Sequence, residues 1–257
     1  MILVTATNHF NDDIQRAREI LNHASTQPVG RLKDDLLRAS WMMAVGSLDA
    51  FFCDAYGDLI ARTLRAKIIE PTVQIPDRIR NLRIPADMVI GNNINDPWLW
   101  RMVARDLIEK DNVLSISKIK ELFSHFFRPA ERLFHENGAP IDRWILHRDS
   151  KHRLFGITRT NYRATPSQNK NSTKKRALDH LQERFGDIFQ RRHDCIHNCD
   201  RPRTAIQTRN IRPAYISKVI DDIDFLVKRC TDEFRTEFRI YLRGIGFNAI
   251  TRNQVGA

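Results

Sequence analysis

Residues 213–243 read PAYISKVIDDIDFLVKRCTDEFRTEFRIYLR. Ile216, Val219, Ile223, Leu226, Cys230, Phe234, Phe238 and Tyr241 recur along it every three or four positions, the period of one helical face. Pro213 sits where a first helical turn tolerates it, and Gly244 and Gly246 follow as a stop. A stripe this long is buried only against other long helices, so the stretch sets the fold class as all-α. Upstream, residues 174–199 form a second helix with Leu178, Leu181, Phe185, Ile188 or Phe189, and Ile196 on one face, stopped by Asp200-Arg201-Pro202. A third runs over 31–69, after Gly30 and up to Pro71, on a broad stripe through Leu37, Trp41, Val45, Leu48, Phe52, Leu59 and Leu64. Residues 11–24 make a fourth, opened by the cap and acids of Asn11-Asp12-Asp13.

Between these elements the pattern weakens. Residues 70–97 hold four prolines and read as an irregular connection. Short helices are expected over 98–110, with Trp98 and Trp100 in the core, and over 115–127, opened by Ser115 or Ser117. Residues 158–173 read as a surface loop around Pro166. No segment alternates with period two, and there is no internal repeat. The expectation is a single all-α domain over 1–257, a bundle of long helices with a mixed helical and irregular insertion at about 70–170, between core helices 31–69 and 174–243.

The 257 residues carry 42 Lys+Arg against 31 Asp+Glu, a formal charge of +11, with 42% hydrophobic residues. That is too apolar for a disordered chain. The charge suggests an anionic partner, nucleic acid being the commonest. Cys53, Cys195, Cys199 and Cys230 are too few and scattered for a disulfide scaffold, which favours a reducing cytosol. The first residues lack the pattern of a signal peptide, and the longest apolar run, 41–46, falls far short of the ~20 residues of a membrane span. A cytoplasmic location without a membrane partner is expected. The charge is concentrated: residues 143–176 hold ten Lys/Arg against one acid, Asp149. This stretch reads as an RNA path, with Trp144, Phe155 and Tyr162 available for stacking, or as a basic loop or the docking face for an acidic protein.

The chemistry concentrates in Arg191-Arg192-His193-Asp194-Cys195-Ile196-His197-Asn198-Cys199. Three readings compete. His193 and His197, four apart on one face, suit a metal. Cys195 and Cys199 share that spacing but point about 160° away at ~100° per residue, and no third ligand stands out downstream. The bland reading is a basic helix end that the helix dipole favours. The third joins Arg192 and His197. An imidazole exchanges protons with a hydroxyl at neutral pH, and a guanidinium offers charge and forked donors to a phosphate. Together they suffice for RNA cleavage without metal, the neighbouring 2′-OH serving as nucleophile. On a straight helix the two stand about 140° apart, but the helix is expected to end here and free His197 to swing inward. Arg191 is an alternative to Arg192; position 192 fits better with a polar residue next to it.

The segment 192–198 resembles the signature of the HEPN superfamily (higher eukaryotes and prokaryotes nucleotide-binding domain), an Arg, a polar residue, a few more residues and a His. It is most similar to the RiboL-PSP-HEPN type, with a long early helix around 40–65 and the motif on a late one; the resemblance covers residues 31–65 and 174–243. It implies a HEPN-like bundle that forms a homodimer, with two motifs side by side at the two-fold axis. It further implies a metal-independent endoribonuclease leaving a 2′,3′-cyclic phosphate, acting as a toxin or anti-phage effector, with an antitoxin or other defence protein as partner. Carried over by position, Arg192 stabilises the phosphate, His197 is the acid/base, and His193 tunes the site. Asn198, Arg191, Lys174, Lys175 and Arg176 are assigned to RNA contact. Asp49 or Asp54 stands for an early-helix acid near the site. No metal or cofactor is expected. The alternatives are a non-catalytic HEPN-fold subunit that binds RNA, a nucleotide or a partner, and a metal-dependent hydrolase using His193 and His197.

Overall fold

The first helix, α1 (Val4–Thr26), begins well before the Asn11-Asp12-Asp13 cluster. Ile2, Leu3, Ala6 and Phe10 are buried at helical spacing, so apolar contact carries the helix through its first turns. The missing polar cap is supplied from elsewhere: the Leu3 amide donates to Asp58 Oδ2 at 2.8 Å. The expected start at residue 11 is therefore corrected; Asp13 lies inside the helix and pairs with Arg16. The computed structural model describes residues 2–81, 102, 115–202 and 206–256.

Helix α2 (Arg31–Ile69) is the axis of the molecule. It packs chiefly against α1, with Ser40 Oγ donating to the Ala17 carbonyl where small residues let the two backbones approach. Its length and composition would allow a membrane crossing, but most of its apolar window is buried inside the protein, the pattern of a core helix surrounded by others. Short helix α3 (Asp77–Arg80) follows. The helix expected over 98–110, with Trp98 and Trp100, lies outside the described residues except for Met102.

Helix α4 (Ile116–Phe123) begins as expected: the Ser115 hydroxyl accepts from the Lys118 amide. Its aromatic end joins the core. Phe123 lies between Phe52 of α2 and Phe234 farther along the chain, and Phe126 meets Tyr56 and Phe238. Helices α5 (Ala139–Leu146), α6 (His152–Phe155) and α7 (Arg159–Arg163) continue the insertion. The segment expected as a loop over 158–173 is thus partly helical, Thr158 capping α7 by accepting from the Asn161 amide.

The long helix α8 (Ser167–Asn198) starts directly after Pro166 rather than at residue 174, since nothing in 167–173 breaks a helix. Helix α9 (Pro213–Gly244) matches the expected span, and α10 (Ala249–Gln254) closes the described chain. The fold is all-α, 76% helical, with no strand among the described residues. One hydrophobic cluster takes in residues of α1, α2, α4, α5, α8 and α9, so the insertion and the long helices share a core.

Arginine–carboxylate pairs stitch the insertion to α9. Arg128 grips Glu237 through Nε and Nη2, Arg143 grips Glu233, and Arg153 joins Arg184 of α8 on the buried Asp222. These contacts engage part of the basic stretch internally. Trp144, Phe155 and Tyr162 are also corrected: all three are buried, Trp144 donating to Glu233, so none is a stacking platform.

Candidate functional site

The nine-residue cluster occupies the last two turns of α8, and the chain leaves it through two successive non-glycine residues of positive φ, Cys199 at 49° and Asp200 at 58°. The turn satisfies the helix end, since the amides of Cys199 and Asp200 both reach the Asp194 carbonyl. Left-handed backbone at such residues persists where its surroundings enforce it. Here the fully buried Asp200 carboxylate accepts from Arg38 Nε at 3.0 Å and Arg191 Nη2 at 2.9 Å.

This turn settles which arginine is available. Arg191 is held by Asp200 and by the Asn210 carbonyl, and its guanidinium lies over the rings of Trp41 and Tyr215, 5.2 and 5.9 Å from their centres. Its assignment to RNA contact is corrected. Arg192 points another way. It is half-buried and makes no ion pair or hydrogen bond among the described residues.

Arg192 and His193 line an open cleft of about 420 Å³, together with Gln182, Gly186, Phe189 and Gln190 of α8 and residues 115–117 at the start of α4. At ~100° per residue, positions 182, 186, 189 and 193 form one stripe, with Gln190 and Arg192 about 80° to either side. His197 continues that stripe one turn beyond His193; the two exposed rings are 4.4 Å apart, tilted by 44°. Because α8 stays helical through Asn198, Arg192 and His197 remain about 140° apart around it, and the expected inward swing of His197 is corrected. His193 stands between them and lines the cleft.

The remaining polar groups of the cluster support the helix end. Asp194 is buried and accepts from Gln190 Nε2 at 3.0 Å and Arg209 Nη1 at 2.7 Å. Burial would raise its pKa, yet the hydrogen bonds from Gln190, Arg209 and Asn198 hold it below the usual carboxylate range. Asn198 itself is half-buried at the helix end. Burial pushes the Cys195 thiol up to about 11, so it stays protonated at neutral pH. Among the described residues, no group of three or more His, Cys, Asp or Glu is placed to hold a metal ion.

The other expected site residues lie elsewhere. Lys174 is buried and donates to Asp142 at 3.0 Å, which corrects its assignment to RNA contact. Lys175 and Arg176 are exposed, Lys175 near Glu136. They sit about 25 Å from Arg192 along α8, at ~1.5 Å per residue. Asp54 is buried beside His9, 3.0 Å from Nδ1. It stands about 24 Å along α2 from Arg38 at the motif end, and Asp49 about 16 Å. The acid held by the early helix at the motif is Asp200, through Arg38. Sequence reasoning read Asp200 only as a helix stop; an acid between Arg191 and Arg209 in a basic segment was the available signal for an ion pair. It also missed Gln182, Gly186 and Gln190, which a helical count back from His193 would have placed on or beside its face.

A phosphate near the end of α8 meets the negative end of the helix dipole. Arg192 supplies an opposing positive charge there, whereas the Arg209 guanidinium is paired with Asp194. Comparison of the chain with protein-family models, curated proteins and solved structures finds no significant match in any of the three.

Proposed function

We propose that the chain is a metal-independent endoribonuclease, with Arg192, His193 and His197 as its catalytic groups. The observation that carries this reading is the contrast between adjacent arginines. Arg191 is occupied by Asp200 and two aromatic rings, while Arg192 lines a cleft beside two exposed imidazoles, unpaired among the described residues. Such a guanidinium stabilises charge on a phosphate as it grows in the transition state. An imidazole removes the 2′-OH proton, the 2′-oxygen attacks phosphorus, and the 5′-oxygen leaves with a proton, giving 2′,3′-cyclic phosphate and 5′-OH ends.

In-line displacement puts the entering and leaving oxygens on opposite sides of phosphorus. His193 and His197 lie side by side on one face, so one chain offers imidazoles to one side. A homodimer that sets two α8 ends face to face supplies both, and exposed Ile196, at 48%, gives this end of the helix an apolar contact. The similarity of the motif to HEPN ribonucleases supports the same arrangement, and with it a role in toxin–antitoxin or anti-phage defence in the cytoplasm with a protein antidote as partner.

The test is cleavage of RNA by the purified protein in EDTA. Arg192→Ala and His197→Ala are each expected to lower the rate roughly a hundredfold or more without changing the Tm. Equal cleavage by both variants and the parent would overturn the assignment.

A further inference from the structure

The cleft extends well past the groups that the proposed reaction uses. Its α8 wall runs from His193 back to Gln182, about 16 Å along the axis. Gly186 interrupts that wall: a Cβ there would meet nothing within 4 Å, so packing does not demand glycine. Glycine in a helix interior is unfavourable, and its effect here is a gap between Gln182 and Phe189. Gln190, on the flank, has a fixed orientation: Nε2 donates to Asp194 Oδ1, and Asp194 is itself held by Arg209. Gln190 therefore has left to offer the acceptor Oε1 and the second Nε2–H.

We propose that this groove is a base-recognition subsite for single-stranded RNA, resting on the ribonuclease reading for the identity of its ligand. A nucleobase lies in the gap over Gly186, against the edge of Phe189 that lines the cleft, with its phosphate toward Arg192 and His193. Gln190 hydrogen-bonds the polar edge of the base, Oε1 accepting from an exocyclic amino group or, in uracil, from the ring N3–H. Gln182 closes the far end. The cleft volume of about 420 Å³ falls at the smaller end of ordinary ligand sites, in keeping with one nucleotide.

The experiment has two arms on the full chain: titration with each of the four nucleoside 3′-monophosphates, and mapping of cleavage positions in a randomised single-stranded RNA. The nucleotides are expected to bind at least tenfold more tightly than ribose 5-phosphate, which lacks the base. Gly186→Leu, which fills the gap, should lose that binding tenfold or more at a Tm no lower than the parent's, and Gln190→Leu should weaken it. Loss of nucleotide binding in Gly186→Leu from a parent that cuts no RNA sustains the subsite and removes the ribonuclease. Unchanged binding and an unchanged cleavage map in Gly186→Leu overturn the subsite while leaving the ribonuclease standing. Failure of the parent to bind any of the four overturns it as well.

Discussion

Arg191 and Arg192 are chemically identical neighbours whose surroundings give them different work. Removing Arg191 strips a buried carboxylate of one of its two guanidinium partners and uncovers Trp41. Arg191→Ala is expected to cost about 3 kcal/mol or more in a denaturant titration, the usual scale for breaking a buried pair, whereas Arg192→Ala stays within about 0.5 kcal/mol of the parent. His125 sets a pH dependence of a different kind. Its ring nitrogens are buried, and the ring lies against Phe126 and Tyr56. Burial first, and the charge of Arg78 second, lower its pKa from 6.5 to about 4, the Leu122 backbone offsetting only a part. The unfolded chain thus takes up a proton that the folded chain refuses. This contribution to stability is whole above pH 6.5 and falls as the pH drops toward 4, by about 1.4 kcal/mol per unit. His125→Leu should flatten that slope in Tm measured from about pH 7 down to about pH 4.

The long helices are legible from apolar period because their stripes meet one another in a shared core. Their ends are less so, since end groups are satisfied from afar. The start of α1 depends on Asp58, 55 residues away, and the end of α8 depends on Arg38. The basic count over 143–176 misled for the same reason: the acids that claim Arg143, Arg153 and Lys174 are Glu233, Asp222 and Asp142, of which two lie on α9. The Arg/His cluster and the preference for Arg192 could be read from sequence, but what occupies Arg191, the turn that folds Asp200 back onto it, could not. Within α8, Gly186→Ala should stabilise by about 1 kcal/mol, because the added methyl meets open space and helix propensity rises. Chemical denaturation checks this. A loss of nucleotide affinity in the same variant would show that the open groove is kept at the expense of stability.

Across the whole molecule, the exposed bases Lys175 and Arg176 and the Arg/His cluster stand toward opposite ends of α8, about 25 Å apart. A strand that touches both must run the length of the helix over the groove. RNA affinity should therefore fall steeply with salt, and Lys175→Ala with Arg176→Ala should reduce that salt slope while the rate at saturating RNA holds. The most direct measurement of the proposed reaction is the identity of the ends of RNA cut by the protein in EDTA. Fragments with 2′,3′-cyclic phosphate and 5′-OH ends are expected, lost in Arg192→Ala and His197→Ala. Fragments with 3′-OH and 5′-phosphate ends, or cutting that needs a divalent metal, would contradict it.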